Sequence, residues 1–237
     1  MTADRQGGVV ARQQLVALGL SAAAIDHRLR AGRLHSVHRG VYSVGHRVLG
    51  PVGRWWAAVL ACGDGAVLAG LSAAAAFAIR PSASPTIHVL VGRSGRERRD
   101  GIRLHWCRSL PPDEVSDLNG LPITTPARTL LDLAAGGVRG RRLESAIDRA
   151  ERQRLLDFAD LHQLLARYPG RPGTPSLAGK VRSGCRGLLE RDVVSEAFEL
   201  FDEALGLAFG VAVGEVVGSE VAVGLAGAEH VPDRADQ

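Results

Sequence analysis

Three observations predict an α+β fold. Residues 12–44 follow the order helix, turn, helix, hairpin; the apolar period then changes from helical to alternating and back; and the last stretch sets glycine among valine and alanine. In order, these give a winged helix-turn-helix at 1–50, a mixed α/β domain at 51–168, and at 169–237 a linker followed by a poorly ordered Gly/Val-rich tail.

Leu15 and Leu18 mark the apolar stripe of a short first helix. Gly19-Leu20-Ser21 is the turn, in which the Ser21 hydroxyl accepts from the free amides of the next helix. That second helix is expected over 22–31, with Ala22, Ile25 and Leu29 inward and Ala23, Ala24, His27 and Arg30 outward. Such a face is narrow enough for the major groove of a DNA duplex. Gly32 supplies the left-handed stop. Leu34-His35-Ser36-Val37 and Val41-Tyr42-Ser43-Val44 then flank His38-Arg39-Gly40 as a hairpin with Arg39 at its tip. The plainer reading of the same block is any helical pair followed by a ribbon, its arginines merely solvated.

The charge is uneven. Residues 1–110 hold 15 arginines against 5 acids, residues 111–170 hold 8 basic groups against 9 acids, and the rest hold 6 against 11, so the overall +4 conceals a basic front and an acidic back. A basic front half faces phosphates favourably, because neutralising them releases condensed counterions. Lys180 is the single lysine; the arginine excess follows from composition and by itself says nothing of recognition. A hydrophobic content of 46% marks a folded chain. Cys62, Cys107 and Cys185 form no C-x-x-C pair, which fits a reducing cytoplasm and argues against a disulfide framework or zinc ribbon. Residues 1–8 lack the apolar centre of a secretory signal.

Residues 55–79 contain one charge, Asp64, and are long enough to raise a membrane span. Gly63-Asp64-Gly65 breaks them in the middle, so we read two soluble helices instead, one over about 54–61 and one capped by Ser72 and ended by Arg80-Pro81. Residues 87–91 and 102–107 alternate as strands. The loop between them carries Arg93, Arg96, Arg98 and Arg99, either a second backbone contact or a solvated hairpin tip. Asn119-Gly120 joins two further strands by a type I′ turn. Thr125-Pro126 opens a helix that buries Leu130, Leu131, Leu133 and Ala134 and stops at Gly136-Gly137. Helices at 141–154 and 157–168 follow, and the Gly/Pro-rich 169–175 reads as a linker.

Two motifs, Arg39-Gly40-Val41-Tyr42-Ser43-Val44-Gly45 and the run from Leu121-Pro122-Ile123-Thr124-Thr125-Pro126 through Ala127-Arg128-Thr129-Leu130-Leu131-Asp132-Leu133-Ala134, resemble the AbiEi family of type IV antitoxins and related actinobacterial regulators. The resemblance covers roughly residues 7–168. It implies a winged helix-turn-helix followed by a mixed α/β antitoxin domain that binds inverted repeats in its own promoter. It also implies repression of a bicistronic operon and the countering of a nucleotidyltransferase-like toxin without a stable complex. By position, it makes residues 21–31 the reading helix and residues 39–42 the wing.

The chain departs from the family pattern twice. The pattern usually has a further helix before Gly7-Gly8-Val9-Val10, and six residues precede it here, so the three-helix core is expected to lack a wall, as it would if the true start codon lay upstream. Longer relatives continue into an endonuclease-like domain whose metal site needs two carboxylates and a lysine. No lysine follows Lys180, and Glu190, Glu196, Glu199, Asp202 and Glu203 stand at helical spacing, which leaves a nuclease or its inactive remnant as the alternative function. Gly206, Gly210, Gly214 and Gly218 recur every fourth residue, but 205–214 is too short to span a membrane. A helix there would lose about 1 kcal/mol per glycine relative to alanine. A poorly ordered extension, arising from a frame shift after about Ser183, is the expectation.

Other chemistry is faint. His35 and His38 lack a third metal ligand, Thr124, Thr125 and Asp132 are explained by capping and helix-surface roles, and His88 and His105 have no acid nearby in sequence. The expectation is therefore a cytoplasmic, non-enzymatic repressor that binds double-stranded DNA, with no cofactor, no metal and no membrane contact. Its DNA-contacting residues are Ser21, His27, Arg28, Arg30, Arg33, His38, Arg39 and Tyr42. A purely protein-binding module is the third reading.

Overall fold

A computed structural model describes residues 2–82, 84–92 and 99–189. It opens with the short helix α1 (Thr2–Arg5), strand β1 (Val9–Ala11), helices α2 (Arg12–Ala17) and α3 (Ala22–Arg30), and strands β2 (Leu34–His38) and β3 (Val41–Val44). The strands form an antiparallel sheet in the order β1-β3-β2, with Val10 opposite Tyr42 and Leu34 opposite Val44. This is a winged helix-turn-helix. Gly19, at φ +87°, turns the chain between the helices, and Ser21 Oγ accepts from the Ala24 amide at 3.2 Å to start α3. A bulge between Ser36 and His38 bends β2 into the hairpin tip.

The inward stripes are narrower than the spacing suggested. Of α3, Ile25 is buried and Leu29 partly so, while Ala22 is exposed; of α2, Leu15 is buried and Leu18 lies 64% exposed, because the helix ends at Ala17 and Leu18 turns outward. Leu20 takes the place expected of Leu18 against Val10, Leu15, Ile25, Leu34 and Tyr42. Helix α1 buries no residue, so the core it would have walled is closed by the sheet.

Helix α4 (Pro51–Cys62) begins three residues before the expected Arg54, since Pro51 at its first position presets the helical φ and needs no N–H partner. It lies between the two sheets. Val9 and Val41 join Trp56, Ala57 and Ala58 of α4 in one core, while their strand neighbours Val10 and Tyr42 point into the other. Hydrophobic packing therefore crosses residue 50. The backbones of Gly7 and Gly53 nearly touch, and a Cβ built on Gly53 would stand 2.5 Å from the Gly7 carbonyl oxygen.

Strand β4 (Val67–Leu68), too short for a sequence pattern, leads into helix α5 (Gly70–Ala76). The expected cap role of Ser72 is not observed: the helix starts two residues earlier, and Ser72 Oγ accepts from the His88 amide at 2.9 Å. Strands β5 (Ile87–Val91) and β6 (Ile102–Trp106) run parallel, Ile87 opposite Ile102 and Val91 opposite Trp106. Parallel neighbours are not joined by the hairpin tip expected between them, because a period of two fixes a strand but not its direction. Of the arginines between the two strands, Arg93, Arg96 and Arg98 lie outside the described residues. Strands β7 (Val115–Leu118) and β8 (Leu121–Thr124) meet at Asn119 and Gly120, both left-handed as the I′ turn requires, and complete a sheet of order β6-β5-β4-β8-β7.

Helices α6 (Pro126–Ala135), α7 (Arg141–Arg152), α8 (Phe158–Arg167) and α9 (Thr174–Leu189) build the remaining core, in which Leu130, Leu131, Leu143, Leu161, Leu165 and Leu177 are fully buried. Helix α9 departs from the linker expected from residue 169. Gly173, at φ +90°, lies so close to α6 that a Cβ would meet the Ala134 carbonyl carbon at 2.4 Å, and Leu177, Ala178 and Val181 are buried beyond it. The glycine and proline here make a tight docking turn. Residues 190–237, with the glycine repeat and the carboxylates from Glu190 onward, lie outside the described residues.

Candidate nucleic-acid interface

The turn between α2 and α3 sets the geometry. Leu20 fills the small core, so α3 presents Ala23, Asp26, His27 and Arg30 outward along its length. Arg33 follows the glycine stop, exposed, and Arg39 is exposed at the hairpin turn beside Gly40, at φ +74°. The start of α2 joins these parts. The Arg12 amide donates to the Gly40 carbonyl at 2.8 Å, and its guanidinium donates to the Tyr42 hydroxyl at 3.2 Å while standing 3.9 Å from Asp26 of α3.

The eight residues picked out from sequence fall into distinct situations. Ser21 acts as the helix cap. His27, Arg30, Arg33 and Arg39 are exposed. Arg28 is half-buried and folds back on its own helix, its Nη1 donating to the Ala24 carbonyl at 3.0 Å. His38 is half-buried; burial first, then the positive charge of Arg99, pushes its pKa below the ordinary value, so it stands neutral near pH 7. Tyr42 is a correction. It is buried at 6% exposure, with its ring in the small core and its hydroxyl taken by Arg12, because both faces of β3 are covered.

Two arginines escaped the sequence reading. Arg12 stands at the junction of helix pair and wing, and its bond to Tyr42 raises its pKa further. Arg47, exposed three residues after β3, borders a hollow of about 340 Å3 with Leu29, Leu34, His35 and Ser36. Counting basic residues on both sides of the hairpin, instead of only within it, would have found Arg47.

Among the described residues no carboxylate pairs with Arg30, Arg33, Arg39 or Arg47. Arg128, Arg167 and Arg171 do the opposite. Arg128, 1% exposed, pairs with Glu114 and with Asp132 at 3.0 Å; Arg171 pairs with the same Asp132, and Arg167 with Asp113 and Glu114 at 2.7 and 2.8 Å. Tyr168 donates to Glu114 at 2.8 Å and receives the Arg128 guanidinium over its ring at 5.7 Å. Asp132 is therefore an ion-pair partner and not a helix-surface group. Thr125 caps α6, and Thr124 hydrogen-bonds Thr129 at 2.8 Å. His88 and His105, without acids nearby in sequence, meet each other at 3.0 Å.

Among the described residues no three His, Cys, Asp or Glu side chains gather closely enough to hold a metal ion, and no helix is long and apolar enough to cross a membrane. Glu190 and Glu196, on which a nuclease reading depends, lie outside them.

Residues 1–45 match the family described as "Transcriptional regulator, AbiEi antitoxin", in agreement with the resemblance drawn from the motifs. No curated protein matches the chain. Among solved structures, the RV2827C protein from Mycobacterium tuberculosis is similar at a TM-score of 0.48 and 19% identity, over 74% of this chain and 72% of that one.

Proposed function

We propose that the chain is a DNA-binding antitoxin of a type IV toxin–antitoxin system that represses its own operon. The observation that carries this reading is the set of unpaired guanidinium groups on and around α3 and the hairpin, in a frame whose first 45 residues match an antitoxin regulator. In this reading residues 1–50 bind DNA and residues 51–168 counter the toxin. Helix α3 enters the major groove with His27 and Arg30 toward base edges, while Arg33, Arg39 and Arg47 meet phosphates. Ser21 and Arg28 hold the helix, and neutral His38 serves as a hydrogen-bonding group at the wing. Two copies related by a twofold axis read the two arms of an inverted repeat. The protein acts in the cytoplasm without catalysis, and its link to a nucleotidyltransferase-like toxin is functional and needs no stable complex.

The test is a fluorescence-anisotropy titration of the duplex upstream of its own reading frame against a scrambled duplex of equal length. Saturable preference for the upstream duplex, abolished by scrambling either repeat, is the expected result. Equal affinity for both, or none at low salt, overturns the reading. Co-expression with the product of a neighbouring nucleotidyltransferase gene tests the antitoxin part, where restored growth without co-purification is expected.

A further inference from the structure

A cleft beside the second sheet holds side chains that DNA binding does not use. It measures about 540 Å3, within the range of about 300–1,000 Å3 typical of small-molecule sites, and is bordered by His88, Arg103, His105, Trp106, Asp132 and Arg171. We propose that it binds a small organic anion carrying a flat nitrogen heterocycle, a chemistry shared by nucleoside monophosphates and pyridine carboxylates.

The histidine pair supplies the heterocycle preference. His105 Nε2 and His88 Nδ1 share one proton at 3.0 Å, and the rings stack at a centroid distance of 5.0 Å. If His105 donates, its Nδ1 is bare and the neutral His88 carries a proton on Nε2; if His88 donates, the roles reverse. Either way the pair leaves one N–H donor and one acceptor, and neither outer nitrogen has a partner among the described residues. A uracil edge, with an N–H donor beside a carbonyl acceptor, satisfies both, a pyridine nitrogen satisfies the N–H donor alone, and the pair adapts to either order by changing tautomer. Burial, then His105 and the Arg103 charge, push the His88 pKa down to about 4, and burial first, then the Arg103 and Arg171 charges against the opposing Asp132, lower that of His105, so both imidazoles are neutral near pH 7.

The charge preference comes from two guanidinium groups. Arg103 is exposed on β6 with no carboxylate partner among the described residues, and Arg171 shares Asp132 with Arg128, whose other carboxylate is Glu114, so the two guanidinium groups that border the cleft face one bordering carboxylate. The charges of Arg103, Arg171 and Asp132 all reach His105, which places the unmatched positive charge beside the imidazole pair. Trp106, which follows His105 on β6 and alternates to the other face of the strand, borders the end of the cleft with 47% of its surface exposed.

The experiment uses the full chain without DNA, so its outcome is independent of the DNA-binding reading. Uridine monophosphate, nicotinate, benzoate and inorganic phosphate are titrated separately, followed by calorimetry and by tryptophan fluorescence. Saturable one-to-one binding of uridine monophosphate or nicotinate is expected, and which of them binds more tightly identifies the source. Benzoate, lacking the nitrogen, and phosphate, lacking the ring, bind more weakly. Arg103→Ala, at an exposed position that leaves the fold intact, lowers affinity by about tenfold or more through loss of a charge-assisted hydrogen bond. The proposal is overturned if no probe saturates, if benzoate or phosphate binds as tightly as the heterocycles, or if Arg103→Ala binds like the parent.

Discussion

Replacing Arg39 by alanine tests the phosphate-facing role of the hairpin most directly. Arg39 is exposed at the turn, beside the left-handed Gly40, and has no acidic partner among the described residues, so its loss removes a charge without disturbing the core. Each neutralised phosphate contributes about −0.9 to the slope of log affinity against log salt. The four unpaired groups, Arg30, Arg33, Arg39 and Arg47, therefore set a slope of about −3.6 per protomer if all engage phosphate, and about −2.7 if Arg30 reads a base edge instead. In either case Arg39→Ala makes the slope shallower by about 0.9 and weakens binding to upstream and scrambled duplexes alike. Arg30→Ala is expected to act differently, lowering the preference for the upstream duplex by about 1–3 kcal/mol. Anisotropy titrations at several salt concentrations separate these effects. An unchanged slope for Arg39→Ala, together with unchanged preference for Arg30→Ala, refutes the assignment of helix and wing.

Further outcomes concern the scaffold. Arg128→Met takes the buried partner from one oxygen of Glu114, whose other oxygen keeps Arg167 and Tyr168, and should cost about 1–3 kcal/mol in urea unfolding; restoration in the double variant Arg128→Met/Glu114→Gln would identify the Glu114 charge as the cause. Gly53→Ala forces a methyl against the Gly7 carbonyl oxygen and should destabilise by about 1–3 kcal/mol, read as a lower melting temperature. His88 titrates at about 4 in the folded chain against its ordinary 6.5, so the unfolded chain takes up the proton first. Its contribution to stability is whole above 6.5 and is lost as pH falls towards about 4. His88→Asn should flatten the stability profile over that window relative to the parent, although His105, Arg103, Asp132 and Arg171 remain around the position.

The parts of the fold legible in the sequence are those with local physical markers. Ser21 before α3 and Thr125-Pro126 before α6 each bring a cap to a helix start, and Asn119-Gly120 dictates its turn, so these elements stand where expected. Strand β4 has two residues and no period to read, and the parallel direction of β5 and β6 leaves no mark in their alternation. Leu18 followed the helical spacing but fell one residue past the end of α2. At the interface, exposure of His27, Arg30 and Arg39 followed from the stripe of Ile25 and from the hairpin tip. Tyr42 did not follow, because its burial depends on Arg12, thirty residues away, and on the helix pair covering that face of the strand. The same holds for His88 and His105, which become neighbours only through strand register.

The alternation along β1 and β3 means that the winged helix-turn-helix has no waterproof back of its own. Val9 and Val41 depend on Trp56 and Ala57 for cover, whereas Val10 and Tyr42 belong to the helix pair. A fragment cut after residue 45 would retain every guanidinium group proposed for the duplex except Arg47, yet would bare a strip of valine to solvent and invite aggregation. Portability of the proposed DNA-binding segment into a fusion protein would therefore require carrying the sheltering helix along with it.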